Sequence, residues 1–270
     1  MTNTINVGIG GLGAIGMPVA RWLDAGVAGL SLAGVSAGNK EWAAERVSNF
    51  VSPPPVLDLP ELVSASDVLV EALPPQHFGE LADLTMAAGK KLIVLTLTSL
   101  LPRLDLVDKA TETGGQIIAA TGALVGFDAV RAAAKGEIYS VTMKTRKPPE
   151  GLKKATFVVE QGINLDGLKE PLCLYSGSVR DAAAKFPANV NVSVALALAG
   201  IGPDKTQYEI WADPAMTRNT HEISVDADST RFDMTIAGVP TEENPATGKL
   251  TPLSVMATLE RFVAPLTVGT

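Results

Sequence analysis

Up to about residue 121 the chain alternates short apolar runs with longer amphipathic stretches. The runs INVGI, LSLAGV, DVLVEAL, KLIVLTL and QIIAAT have the length and continuous apolarity of strands buried on both faces. Between several of them, stretches such as AIGMPVARWLDAG and HFGELADLTMAAG carry apolar residues at helical spacing. Buried strands separated by helices predict a parallel sheet covered on both sides, the doubly wound α/β arrangement. The Pro-rich segment SPPPVLDLP at 52–60 is expected as a surface loop of this first domain.

From about residue 137 the period changes. EIYSVTMKTRK and HEISVDADSTRFDMTIAGV contain stretches of alternating burial, which predict antiparallel strands with one solvated face. Between them SVRDAAAKFPANVNVSVALALAG reads as helical, opened by a cap from Ser178 with Asp181 three residues on. TPLSVMATLERFV reads as one amphipathic helix. The expected organisation is two domains with a boundary near residue 121.

Composition narrows the function. With 270 residues, 46% of them hydrophobic, the chain can build two cores. A formal charge of −7 provides no broad positive field for a phosphate backbone, so nucleic acid is not an expected partner. No apolar run reaches the roughly 18 residues that span a bilayer. MTNTINVGI passes straight into a strand without the order of a leader peptide, so the expected location is the cytoplasm. The single Cys173, in PLCLY, excludes an internal disulfide and is expected in the core rather than as a nucleophile. His77 and His221 are the only histidines, too few for a His/Cys metal constellation.

VGIGGLGAIG holds two overlapping G-x-G-x-x-G patterns, one on Gly8, Gly10 and Gly13, the other on Gly11, Gly13 and Gly16. INVGI supplies the strand and AIGMPVARWLDAG the helix, so the second copy is the one in register. In that frame Gly11 makes the tight turn, Gly13 lets backbone approach a pyrophosphate at the helix N-terminus, and Gly16 lets helix and strand pack closely. Gly11, Leu12, Gly13, Ala14, Ile15 and Gly16 are therefore the candidate cofactor contacts. Gly8 and Gly10 fall on the strand, where missing side chains leave room for a neighbour. At the adenosine end, Ser36 in AGVSAGNK occupies the place where an NAD-specific site usually carries an acid. No carboxylate repels a 2′-phosphate there, and Lys40 or Arg46 can attract one, so NADP is expected alongside NAD. The competing reading makes both cations solvated helix charges.

ATGALVGFDAV, KTRKPP, KFPANVNVSVALALAG, ADPAMTRNTHEISV and ENPATGKLTPLS, in that order and over nearly the whole chain, resemble the L-aspartate dehydrogenase family. The resemblance implies a Rossmann domain over 1–121, an α+β substrate domain over 122–250, and a C-terminal segment over 251–270 whose helix packs back on the first domain. It implies oxidation of L-aspartate to iminosuccinate with NAD or NADP, or the reverse reductive amination of oxaloacetate. The iminosuccinate hydrolyses or feeds quinolinate synthesis on the way to NAD. The implied partner is a small amino or keto dicarboxylate, and the implied assembly a homodimer. By motif, His221 in NTHEI matches the catalytic histidine, and Ala123 in TGALVG matches a cofactor contact. In FPANVNV either Asn189 or Asn191 matches a second cofactor contact; residues two apart on a helix do not share a face. Two departures stand out. Ser36 replaces a frequent acid, and LTLTSLLP, read as following the fifth strand, lacks a small Gly-Ala step, which opens the substrate to another amino acid or imine.

If HEISV is a strand, His221, Ile223 and Val225 point one way and Glu222 and Ser224 the other. His221 then faces inward, either as a satisfied core histidine or, with the family, as an acid–base group near neutral pH. Asp233 and Asp226 are the candidates to orient it. His77, in PPQHFGE, opens a helix at the carboxyl edge of the sheet and is given no role. A dicarboxylate needs cations, and Lys144, Arg146, Lys147, Arg180 and Arg218 are available; Arg218, three residues before His221, is the first choice. The run YSGSVRDAAAKF also offers backbone N–H groups at a helix start. A non-catalytic NADP(H)-binding protein is the reading from another class. A hydrolase is disfavoured because no G-x-S-x-G elbow is present.

Overall fold

The computed structural model describes residues 4–187, 190–244 and 247–269. The chain up to Ala120 forms one unit together with Thr251–Thr267, and Thr121–Leu250 forms a second together with Val268 and Gly269.

In the first unit the elements run β1 Ile5–Gly10, α1 Gly16–Asp24, β2 Leu30–Ser36, α2 Lys40–Val47, α3 Leu59–Ala65, β3 Val68–Glu71, α4 Phe78–Ala87, β4 Lys91–Val94, α5 Leu97–Leu100, α6 Asp105–Thr113 and β5 Gln116–Ala119. The five strands form an all-parallel sheet in the order β2-β1-β3-β4-β5. Val7, Ile9, Leu69, Val70, Leu92, Ile93 and Val94 are fully buried, as strands covered on both faces must be. The order reverses at β1, which creates a switch point between β1 and β3 at the carboxyl edge of the sheet. The C-terminal helix, Leu250–Glu260, buries Val255 and Leu259 in the cluster that holds Val7, Ile9, Val19 and Leu23. Each such side chain contributes about 1.5–3 kcal/mol of burial.

Two local readings change. The Pro-rich run is loop only to Asp58. There Asp58 and Glu61 form a reciprocal capping box, so Leu59 and Pro60 already belong to α3. Within the loop, Val56 pairs with Val35. LTLTSLLP follows β4, the fourth strand, and most of it is helical, in α5 and the 3-10 turn Leu101–Arg103.

The second unit runs α7 Phe127–Ala133, β6 Ile138–Lys147, α8 Thr156–Glu160, β7 Leu172–Ser178, α9 Val179–Lys185, α10 Asn191–Ala199, β8 Gln207–Ala212, β9 Thr220–Ala227 and β10 Arg231–Ala237. Its sheet has the order β10-β9-β6-β8-β7. It is mixed, not antiparallel throughout, because β6 and β8 pair in parallel. Alternation of burial records which face a residue takes and is silent on strand direction. The expected continuous helix over 178–200 is two helices, with Ser178 capping the first through the Asp181 N–H. The break falls at Phe186, which precedes Pro187. Proline lacks an N–H and disfavours helical backbone in the residue before it. Cys173 is exposed, not core. It lies on the edge strand β7, where an irregularity between Cys173 and Tyr175 turns Leu174 and Tyr175 inward together. Burial of part of its thiol raises the Cys173 pKa, the opposite of activation.

Gly16 carries the joint between α1 and β1. A Cβ there would lie 1.8 Å from the Gly11 carbonyl oxygen and 3.0 Å from its carbon. Backbone cannot give way as a side chain can. Gly16→Ala is expected to lower unfolding free energy by about 2–4 kcal/mol, measured by urea denaturation.

Candidate functional site

The glycines of the first turn divide their work as the register of the second copy requires. Gly11 has φ +96, and a Cβ would meet the Ala72 carbonyl oxygen at 2.2 Å. Its N–H donates to the Ser36 carbonyl at 2.8 Å, which ties the turn to the end of β2. Gly16 is required by the helix packing described above. Gly13 differs from both. It is exposed, its φ lies outside the left-handed region, and a Cβ would meet nothing within 4 Å. No contact of the first unit demands a glycine there. The open space there lies at the N-terminus of α1, where a turn of this kind can accommodate a pyrophosphate. Leu12 is buried beneath the turn, and Ala14 and Ile15 are half-buried. On the first unit's own geometry, these residues fit a dinucleotide.

Gly8 and Gly10 lie on β1. A Cβ at Gly8 would strike Ser66 and Leu69 side-chain atoms at 2.3 and 2.8 Å, so its absence admits neighbours. Ser36 ends β2 and is buried. Asn39 accepts the Trp42 N–H at 2.9 Å and caps α2; Lys40, its first residue, is exposed. Arg46 lies 4.8 Å over the Trp42 ring. His77 is exposed at the end of the 3-10 turn Pro75–His77.

Glu71 was not singled out from the sequence. Its side chain is fully buried at the end of β3. The carboxylate accepts N–H groups of Leu73 at 3.1 Å, Leu95 at 3.2 Å and Thr96 at 3.0 Å, and the Thr96 hydroxyl at 2.8 Å. Burial raises its pKa while those bonds oppose the rise. Glu71 thereby pins the exits of β3 and β4 beside the switch point. The available signal was an acid inside the otherwise apolar DVLVEAL.

In the second unit, Ala123 is half-buried in the turn closed by Leu124 N–H to Thr121 carbonyl at 3.2 Å. A Cβ on Gly122 would lie 3.5 Å from the Val192 side chain, so this turn abuts the first residues of α10. Asn191 opens that helix and is half-buried. Asn189 lies outside the described residues.

His221 sits on β9, whose burial alternates, and its side chain faces the interior with 5% exposure. Register places it opposite Thr145 of β6. Nδ1 lies 2.9 Å from Thr145 Oγ1, and the buried Tyr208 hydroxyl of β8 donates to that same oxygen at 2.9 Å. Asp226 and Asp233 do not orient the ring. Asp226 is an odd number of residues from His221 and Asp233 pairs with Ser224, so both take the opposite face of the sheet. Thr145 holds that place. Burial, and then the charge of Lys147, hold the His221 pKa down to about 3. Burial draws the Lys147 ammonium down to about 8 and raises the Tyr208 pKa.

The candidate cations separate by face. Lys144 pairs with Glu209 at 3.4 Å, and Arg146 pairs with Asp213 at 3.1 Å and Glu222 at 3.6 Å; both lie 5.4 Å over Trp211. Arg180 is bridged to Asp204 by two bonds, the longer 2.9 Å. The start of α9 is likewise an ordinary cap, its Asp181 bonded to Lys185. Arg218 is exposed in the loop before β9. Lys147 alone of these is buried on the face that carries His221. Among the described residues no group of three His, Cys, Asp or Glu is placed to hold a metal, and no helix is long and apolar enough to cross a membrane.

Comparison with known proteins identifies the family and the fold. Residues 128–262 match the family model for the aspartate dehydrogenase C-terminal region, and residues 11–120 match that for the homoserine dehydrogenase NAD-binding domain. The chain is 47% identical to an L-aspartate dehydrogenase of Bradyrhizobium diazoefficiens, over 100% of this chain and 95% of that one. The chain belongs to the L-aspartate dehydrogenase family. Another relative, L-aspartate dehydrogenase 3 of Bordetella bronchiseptica, is 48% identical over 98% of each chain. A crystal structure of aspartate dehydrogenase from Thermotoga maritima shares the fold, with a TM-score of 0.75 at 21% identity, covering 98% of this chain and 99% of that one. As a member of the L-aspartate dehydrogenase family the protein is an oxidoreductase with an NAD-binding Rossmann domain, and NAD(P) is its cofactor.

Gly13→Ala is expected to leave unfolding free energy within about 0.5 kcal/mol of the parent, because it meets no atom of its own unit. It should weaken NAD(P)H at least about tenfold, read by fluorescence titration. A second outcome concerns pH. The folded protein keeps His221 neutral down to about pH 3, whereas the unfolded chain protonates it near 6.5. The unfolded state therefore binds the extra proton between those values, and stability falls as pH drops through that window. Urea denaturation from pH 4 to pH 7 should show a shallower slope for His221→Gln than for the parent.

Proposed function

We propose that the protein oxidises L-aspartate to iminosuccinate with NAD or NADP, and runs the reverse reductive amination. The observation that carries this reading is the buried His221, held through Nδ1 on Thr145 and backed by Tyr208, in a chain of this family. The nicotinamide, when bound, accepts hydride from the substrate Cα.

The proton is the task of the chain's own residues. An imidazole that donates Nδ1–H to Thr145 leaves the Nε2 lone pair for the substrate ammonium proton, so the nitrogen can form its double bond to Cα as the C–H bond is lost. Thr145 Oγ1 has two lone pairs, enough to accept from both His221 and Tyr208. Desolvation and Lys147 keep the ring neutral before substrate arrives. A dicarboxylate adds negative charge beside the ring and raises its basicity at the moment a base is needed. The same group returns the proton in reductive amination, or activates the water that hydrolyses the imine to oxaloacetate and ammonia.

Ser36 in place of an acid supports use of NADP as well as NAD, with Lys40 the exposed cation available to a 2′-phosphate. On the substrate side, Arg218 supports recognition of one carboxylate as the exposed cation three residues before His221.

Initial rates with L-aspartate, run with NAD⁺ and NADP⁺ beside a panel of other L-amino acids, test the reading. L-aspartate should give the highest kcat/KM. His221→Ala should lower kcat/KM roughly 10²- to 10⁴-fold with cofactor affinity unchanged. Thr145→Val should lower kcat while leaving KM near the parent value. Tight NADP(H) binding with no turnover of any amino or keto acid would instead mark a cofactor-binding protein.

A further inference from the structure

We infer that Lys147 is the residue that receives a substrate carboxylate beside His221, an assignment that rests on the amino-dicarboxylate reading above and specifies its anion site. The placement comes from β6. Its alternation sends Lys144 and Arg146 to the face where Glu209, Asp213, Glu222 and Trp211 meet them. Val141, Met143, Thr145 and Lys147 take the buried face. Thr145 touches His221 Nδ1, and Lys147 follows it on that same face, within electrostatic reach of the ring.

The chemistry of that position is unusual for a sheet interior. Val141 and Met143, earlier on the same face of β6, are apolar, and an aliphatic side chain at 147 would avoid the cost of desolvating an ammonium. A cation buried on the face that carries the imidazole is the kind of group a binding site keeps. Around it stand His221 on β9 and, on β8, Ala212, the residue paired with Lys147. The adjacent Asp213 donates its N–H to the Lys147 carbonyl at 2.8 Å, while its carboxylate accepts from Arg146 and from the Ala215 N–H at 2.9 Å. A carboxylate at the ammonium lies next to the imidazole that takes the proton from the neighbouring amine. One cation thereby places the substrate and, when the carboxylate offsets its charge, releases its hold on His221 basicity.

The assignment covers either carboxylate of the substrate, and two probes distinguish them. L-Aspartate with NADPH forms a complex that cannot turn over, and L-alanine with NADPH offers the α-carboxylate alone. Calorimetric titration of the parent, Lys147→Met, Lys147→Gln and Lys147→Arg reads the affinities. L-Aspartate should bind about 10- to 100-fold more weakly to the Met and Gln variants, with Arg recovering part of the loss. NADPH affinity should be unchanged. L-Alanine weakened in parallel assigns the α-carboxylate, and L-alanine unaffected assigns the β-carboxylate. Unchanged L-aspartate affinity in whichever uncharged variant folds overturns the assignment, as does failure of both to fold or absence of L-aspartate binding in the parent. Turnover is scored separately. Weakened binding without parent turnover retires the dehydrogenase reading and keeps the carboxylate site, whereas parent turnover with unaltered binding retires Lys147 alone.

Discussion

A Cβ at position 16 would sit 1.8 Å from the Gly11 carbonyl oxygen, and this approach of helix to turn sets much of the first unit. It requires a glycine at 16 so that α1 can lie down on β1, and a positive φ at Gly11, where a Cβ would strike the Ala72 carbonyl oxygen, as the chain leaves the strand. Once those demands are met, the N-terminus of α1 points its N–H groups past the carboxyl edge of the sheet at the switch point between β1 and β3. The exposed Gly13 is then the one member of the trio at which the fold itself leaves room for a side chain. Glu71 completes the platform by drawing backbone N–H groups from the exits of β3 and β4 onto a single buried carboxylate.

The second unit rests on a different constraint, the two-residue period of its strands. That period places His221, Thr145, Lys147 and Tyr208 on one buried face and consigns the acid-paired cations to the other. Polar groups on a buried face must find partners, and Tyr208 and His221 find theirs in the same threonine hydroxyl. The result is a buried imidazole held through Nδ1 on a threonine hydroxyl and kept neutral by desolvation and a nearby cation.

The strands of the first sheet and the register of the glycine turn were legible because both are local. A fully buried strand announces itself by continuous apolarity, and a strand–turn–helix junction by glycines at set offsets. The inward face of His221 followed from alternation alone, and the same counting would have set Asp226 aside. Less was visible where the outcome depended on long-range pairing. Cys173 looked like core because PLCLY is apolar, yet an irregularity in an edge strand turned it outward. The break before Pro187 was written in the chain and was masked by the small apolar residues on either side.

Family membership, the doubly wound domain and the inward face of His221 thus belong to the linear order of residues, since motif spacing and apolar period are properties of neighbours along the chain. The partner of that histidine does not. Thr145 and Tyr208 are 76 and 13 residues away from His221, and only the pairing of β6 with β8 and β9 brings the three side chains together. The same pairing separates Lys147 from Lys144 and Arg146. In the sequence they stand as near-equivalent cations; in the sheet, one pleat sends two of them to carboxylates and the third to the buried face that carries His221.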